Sequence, residues 1–309
     1  MALPEVPISK RFQVVLAFAL VYVFWGSTYL GIRIAVERIP PILMAGVRFS
    51  IAGVFLLVFC RLTGRPTRLT LDQFWRLAFI GILLLSISNA MLAWAELYVP
   101  TGLAALLLSF TPIWFLFIEH VLLRHGAHVG RAALAGVALG VVGMVVLLWP
   151  RLHGIKTLGG WQLVAAASLL GASFSWAFGS VLARHWRVQV DPMVGSGWQM
   201  TLAGILDTAA GLALGQHHAA RWDASALGAI LYLVVFGSWV GYSAYVYLLR
   251  HVPTSKVSTY AYVNPVVAVF LGWAILGERI DAFMFAGLAI IVPAVALVTT
   301  AEGNIEPAD

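Results

Sequence analysis

Charge is what this sequence has least of. Its 309 residues carry 13 acidic and 19 basic side chains, 10% of the chain, against roughly 25% in an ordinary soluble domain. Hydrophobic residues make up 61%, more than a soluble fold of this length can hide from water, so a soluble enzyme or regulator is excluded. The net charge of +6 does not point to nucleic acid, because the bases are scattered through short loops. Cysteine is nearly absent: Cys60 stands alone, so no intramolecular disulfide can form and the redox compartment is not indicated. The GxxxxGK[ST] phosphate loop, H-E-x-x-H and G-x-S-x-G are all missing, which removes the usual signatures of nucleotide, zinc and serine chemistry. No catalytic residue, cofactor or metal is expected. His120, His125, His128 and the pair His217-His218 fall at interfaces or in loops. No small-residue cleavage site follows the apolar run after Lys10-Arg11, which therefore reads as a retained span and not a signal peptide.

Apolar runs are what the chain has in abundance, each long enough to cross a hydrocarbon core of about 30 Å. Ten spans are predicted: 12–35, 41–62, 74–98, 101–123, 131–149, 160–186, 192–215, 225–251, 254–276 and 283–300. The architecture expected is all-α and polytopic. A segment 1–11 precedes the first five spans (12–149), a connection 150–159 leads to the second five (160–300), and a tail follows at 301–309. Leaving aside Arg48, which lies inside a span, twelve Lys and Arg residues fall on the side of the N-terminus and six on the other. That bias places both termini in the cytoplasm. The bilayer and a small-molecule substrate are the partners expected. A monomer is expected, with a dimer left open; Gly136 and Gly140 form a GxxxG pattern that reads as close helix packing.

The chain also repeats itself. PTGLAALLLSFTPIWFLF from Pro100 returns as PTSKVSTYAYVNPVVAVF from Pro253, so an offset of 153 carries Pro112 onto Pro265. An offset of 151 carries Trp25 onto Trp176, Arg33 onto Arg184, Pro41 onto Pro192 and Gly46 onto Gly197. Each half holds five spans, an odd number, so the second half must lie upside down relative to the first. Pro112 and Pro265 fall at mid-span, where proline cannot donate its backbone hydrogen bond and disturbs the turn before it. The carbonyls of Leu108 and Ala261 then need other partners, which in lipid means protein or a watery cavity. Two broken helices at matched places of an inverted repeat point to a transport site near the bilayer midplane.

Three stretches carry a resemblance: WGSTYLGIRIAVERIPPILMAGVRF from Trp25, AELYVPTGLAALLLSFTP from Ala95 and YAYVNPVVAVFLGWAILGER from Tyr260. Over about residues 12–300 the chain resembles the EamA-type transporters of the drug/metabolite transporter superfamily. The resemblance implies ten helices in two inverted five-helix repeats, with a cavity lined mainly by helices 1, 3, 4, 6, 8 and 9. It also implies export of amino acids or other small metabolites, here across a bacterial inner membrane. One departure stands out. Leu276-Gly277-Glu278-Arg279 ends the fourth helix of the second half, whereas the first half reads Leu123-Arg124-His125-Gly126.

Candidate site residues follow from polarity at depth. Asn89 aligns with Tyr242, Thr111 with Asn264 and Ser109 with Tyr262, and the rings of Trp25, Trp94, Trp114, Trp176, Tyr245 and Tyr260 surround them. Amide and hydroxyl groups inside a span need partners, which water or a substrate can supply. Each ring singly also reads as packing, and Trp94 as part of an interfacial belt. Arg48 lies inside the second span, and Glu96 matches it in depth. They read either as a charged gate or substrate anchor, or as a structural ion pair or two snorkelling side chains. Asp207 is the one carboxylate near mid-span, which makes it a possible proton site or a packed, hydrogen-bonded acid. Glu119 reads as interfacial. An exchanger of phosphorylated sugars or nucleotide-sugars is the second reading, and a membrane-embedded enzyme or scaffold the third.

Overall fold

The computed structural model describes residues 10–99, 104, 107–118, 131–153, 160–276 and 282–300. The expectations resting on Pro100, Thr101, Glu119, His120, His125 and His128, and on the segments 123–126 and 277–279, lie outside the described residues. Every regular element among the described residues is helical. In chain order these are α1 (Lys10–Val36), α2 (Pro41–Leu62), α3 (Leu71–Ala95), α4 (Thr111–Phe117), α5 (Arg131–His153), α6 (Gly160–Trp186), α7 (Pro192–Ala213) and α8 (Ala224–His251). They are followed by α9, in two pieces (Thr254–Val257 and Tyr260–Leu276), and α10 (Ala282–Thr300). The chain is an integral membrane protein with ten helical spans.

Two of the acids cap helix starts. Asp191 caps α7 by accepting from the Met193 and Val194 amides at 2.9 and 3.3 Å, and pairs with Arg65 at 2.8 Å. Asp223 caps α8 through the Ala226 amide at 2.9 Å and pairs with Arg38 at 3.4 Å. Thr70 and Gln73 close a reciprocal capping box at the start of α3. These caps satisfy amides that the first helical turn leaves without partners. The prolines at 41 and 192 stand in the first turn of α2 and α7, where their missing N–H is not needed.

Repeat mates pack on each other. The two most extensive helix contacts join α2 to α7 and α5 to α10. At the first crossing glycines let backbones touch. A Cβ at Gly46 would lie 2.8 Å from the Asp207 carbonyl carbon, one at Gly53 would lie 2.8 Å from the Gly197 carbonyl oxygen, and one at Gly204 would lie 2.7 Å from the Phe49 carbonyl carbon. Climbing α2 therefore means descending α7: the helices are antiparallel, and the offset of 151 exchanges Gly46 with Gly197 and Gly53 with Gly204. The α5–α10 crossing repeats the pattern, with Gly143 against Ile291 and Gly287 against Leu147. A two-fold axis perpendicular to these helices relates the halves, which is the inverted repeat. Two arginines obey it as well. Arg33 Nη1 donates to the Glu96 carbonyl just beyond α3, and its mate Arg184 donates to the Leu249 and Val252 carbonyls at the end of α8. In both places a cation meets the negative end of a helix.

The breaks in the fourth and ninth spans are less symmetric than the prolines suggested. In the fourth, the helix turns at Ser109–Phe110 and restarts at Thr111, so Pro112 follows the break directly. In the ninth, the turn is at Ser258–Thr259, and Pro265 sits well inside the helix that restarts at Tyr260. The expectation that Pro265 marks the break is corrected. Thr111 Oγ1 donates to the Leu108 carbonyl and Thr259 Oγ1 to the Lys256 carbonyl, each at 2.6 Å. A threonine hydroxyl that captures a carbonyl three residues back competes with the ladder and opens it locally.

Candidate functional site

A cavity of about 100 Å³ lies between the halves, smaller than the roughly 300–1,000 Å³ usual for small-molecule sites. Four helices supply its walls by helical spacing: Trp25, Thr28, Tyr29 and Ile32 from α1, Leu85, Ser88, Asn89 and Leu92 from α3, Ser173 and Trp176 from α6, and Gly237 and Tyr242 from α8. The broken spans add Leu108, Thr111, Tyr260, Ala261 and Asn264, and α2 adds Arg48 and Phe49. The set includes every helix that the resemblance implied, and α2 besides.

Trp25 and Trp176 meet edge to face, with ring centroids 5.3 Å apart at 83°. Because they are repeat mates, their contact places the cavity on the two-fold axis. Trp25 also stands edge-on to Tyr260, at 5.2 Å and 87°. Polar edges lock these rings. Trp25 Nε1 donates to the Gly237 carbonyl at 3.0 Å, and Trp176 Nε1 to the Tyr245 hydroxyl at 2.9 Å. Aromatic pairs in such tilted arrangements gain about 0.5–1.5 kcal/mol beyond the area they bury.

The two asparagines are likewise committed. Asn89 Nδ2 donates to the Leu84 carbonyl at 2.9 Å. In the orientation that matches donors to acceptors, Asn264 Nδ2 donates to the Tyr22 and Tyr260 carbonyls at 3.3 and 3.2 Å. Asn89 thus keeps its oxygen as an acceptor, whereas in that orientation the Asn264 oxygen faces protein donors.

Of the residues expected from sequence, Trp25, Arg48, Asn89, Thr111, Trp176, Tyr242, Tyr260 and Asn264 line the cavity. Tyr245 and Trp114 stand behind its wall. Tyr245 holds Trp176 and Ser180 through its hydroxyl, and Trp114 Nε1 donates to Ser173 Oγ at 3.0 Å. Trp94 is elsewhere, 5.0 Å from Tyr98 and 6.4 Å from Trp161, centroid to centroid. Five residues beyond Asn89, it points about 140° away around the helix. Tyr262 leaves the cavity too, its ring filling the space above Gly140 and its hydroxyl donating to the Val137 carbonyl at 3.3 Å.

The charged residues separate. Among the described residues no ion pair joins Arg48 to Glu96. Arg48, 5% exposed, donates from Nε to Ser238 Oγ at 2.9 Å. Glu96 is fully buried, and neither carboxylate oxygen has a hydrogen-bond partner among the described residues. Asp207 lies in the α2–α7 crossing opposite Gly46, away from the cavity.

Sequence reasoning missed Tyr29, Thr28, Ser88 and Ser173, although a signal was present. From Trp25 the steps of three, four and seven reach Thr28, Tyr29 and Ile32, and from Leu85 the same steps reach Ser88, Asn89 and Leu92.

A sequence model described as the EamA-like transporter family matches residues 12–149 and 163–300. Among curated relatives, a protein named as an uncharacterized inner membrane transporter, YedA, of Escherichia coli (strain K12) is 39% identical over 286 residues, covering 91% of this chain and 89% of its own. An uncharacterized transporter, YvbV, of Bacillus subtilis (strain 168) is 25% identical over 287 residues, covering 92% and 91%. A solved crystal structure superimposes with a TM-score of 0.78 at 17% identity, covering 95% of this chain and 98% of that one, which shows the fold. With the inverted halves, the cavity on their axis and a family match in each half, the chain belongs to the EamA-like transporters of the drug/metabolite transporter superfamily.

Proposed function

We propose that the chain is a secondary transporter that exports amino acids with neutral or aromatic side chains, or related amphipathic metabolites, across the inner membrane. In this reading both termini are cytoplasmic, the monomer is the working unit, and the two halves rock about the shared axis to expose the cavity to each side in turn. The observation that carries it is the cavity where Trp25 and Trp176 meet, between two halves of opposite orientation. Its rings offer faces and edges to a planar or apolar body, and the Asn89 oxygen offers an acceptor to an amino group. Arg48 is the one basic residue among the described lining residues, too little to balance a sugar phosphate dianion.

The test is uptake into proteoliposomes containing the purified chain, using a panel of radiolabelled amino acids, sugar phosphates and nucleotide-sugars. Accumulation of an amino acid above that in empty vesicles, competed by aromatic congeners, is the result expected. Accumulation of sugar phosphates alone would overturn it.

A further inference from the structure

Arg48 occupies an unusual position. Its guanidinium is almost wholly buried at the cavity wall, and its one hydrogen-bond partner among the described residues is a neutral serine, Ser238 at 2.9 Å. Of the five N–H donors on a guanidinium, Nε is taken and the two amino groups are not. A charge inside a span ordinarily finds an opposite charge or a wet cavity, yet Glu96, the acid at matching depth, makes no pair with it.

The side chain is nonetheless fixed. Its Cζ lies 4.7 Å from the Phe49 ring centroid. Its Nη2 sits in a notch of α8 at Gly237, where a Cβ would come within 2.7 Å of that nitrogen and 2.9 Å of Thr28 Cγ2. Gly237 and Ser238 therefore hold the planar fork in place from adjacent positions, one by leaving room and the other by a hydrogen bond. A fork held at Nε on the cavity wall, with neither amino group hydrogen-bonded to a described residue, is the arrangement that receives a planar anion through two parallel hydrogen bonds.

We propose that Arg48 is a carboxylate-binding subsite, positioned by Gly237 and Ser238, so that the transported solute must carry a free carboxylate. The idea rests on the transport reading above and deepens it. The Asn89 oxygen, Oδ1, is left to accept from the amino end. A lone guanidinium balances one negative charge, which suits a carboxylate better than a phosphate dianion. An amine formed by decarboxylation, or an acid capped as its amide, leaves the guanidinium buried without its anion and is rejected.

The experiment compares matched ligands on the purified, detergent-solubilised full chain. Each of the twenty L-amino acids, its α-amide, its decarboxylated amine and, as a further arm, glucose 6-phosphate is titrated, with stabilisation against heat as the readout. At least one free acid should bind about tenfold or more tightly than its own amide and amine. Acids, amides and amines of equal affinity would overturn the carboxylate subsite while leaving transport intact, and tight binding of glucose 6-phosphate alone would overturn both. If nothing binds, the transport reading falls and the subsite with it.

Two variants sharpen the result. Gly237→Ala meets side chains and no backbone, Arg48 Nη2 at 2.7 Å and Thr28 Cγ2 at 2.9 Å, so it should fold, displace the guanidinium and erase most of the acid-over-amide preference. Arg48→Lys keeps the charge but loses the fork, and should narrow the preference by about tenfold. Full retention of the preference in both variants would sink the assignment. Should either fail to fold, the wild-type comparison decides alone.

Discussion

Replacing Gly204 with alanine tests the axis on which the two halves meet. A Cβ there would fall 2.7 Å from both the Phe49 carbonyl carbon and the Ser50 Cα, and closer still to the Ser50 amide nitrogen. Carbon atoms in good contact sit about 3.5–4.0 Å apart. The atoms struck are backbone, so no rotamer change relieves the overlap, and α2 must move away from α7 by about an ångström at its tightest point. Overpacking of this kind costs typically 1–3 kcal/mol. Because backbone is struck, the top of that range, about 3 kcal/mol, applies, and the roughly 1 kcal/mol of helix propensity that alanine recovers over glycine leaves a net loss of about 2 kcal/mol. With an unfolding entropy of about 2.1 cal/mol/K per residue, each kcal/mol shifts the midpoint of a 309-residue chain by about 1.5 °C, which gives a fall of about 3 °C in thermal unfolding of the solubilised protein. Gly228→Ala serves as the control: a Cβ at that position of α8 meets nothing within 4 Å, so its midpoint should hold or rise. The mate substitution, Gly53→Ala, strikes Thr201 and the Gly197 carbonyl and should match Gly204→Ala. The double variant should lose less than the sum, since the first alanine already parts the helices. An unchanged midpoint for Gly204→Ala beside a lowered one for Gly228→Ala would refute the packing described.

Three further outcomes are expected. Asn264→Leu removes the amide that bonds the Tyr22 and Tyr260 carbonyls and should cut uptake in proteoliposomes about tenfold with helical content unchanged; full uptake would move the site elsewhere. Trp176→Phe keeps a ring but drops the donor to Tyr245, so apparent affinity in a competition assay should weaken about fivefold, the equivalent of about 1 kcal/mol. Glu96→Met replaces a buried carboxyl whose oxygens lack described partners, and the thermal midpoint should hold or rise; a clear fall would reveal a partner for the acid.

The framework was legible in the sequence because the bilayer forces it there. Span lengths answer to hydrocarbon thickness, and α2 runs from Pro41 to Leu62 as the apolar run and its flanks require. The inverted repeat was written in matched prolines, tryptophans and glycines. The site was half legible. Polarity at mid-span picked out Asn89, Thr111 and Asn264, but polarity does not say which way around the helix a residue points. Trp94 and Tyr262 have the right depth and the wrong face. Arg48 and Glu96 share a depth without meeting, because the register between α2 and α3 is set by packing that no single span records. Asp207 was the most conspicuous acid at mid-span, and the α2–α7 crossing encloses it away from the cavity.

The irregular backbone most tightly bound to the cavity has no proline at all. α3 is wound as a π-helix over Ile82–Ile87, and α8 over Leu233–Tyr242. The offset of 153 lays the first inside the second, so the distortion obeys the repeat more faithfully than the breaks beside Pro112 and Pro265 do. Local sequence gives no warning, since ILLLSI is ordinary helical material. What the widened turns provide is carbonyl oxygen. Leu83 accepts from Ser175 Oγ at 2.8 Å, Leu84 from Asn89 Nδ2 at 2.9 Å, and Gly237, the repeat mate of Leu84, from Trp25 Nε1 at 3.0 Å. Carbonyls released from a ladder inside a membrane must be satisfied by protein or water, and here side chains from the chain's own spans do so, with Asn89 and Trp25 themselves lining the cavity. The π-helical segments thus tie α1 and α6 to α8 and α3 across the two-fold axis. π-turns recur at functional sites, and here both border the cavity: Leu85 of the first and Gly237 and Tyr242 of the second are among its walls.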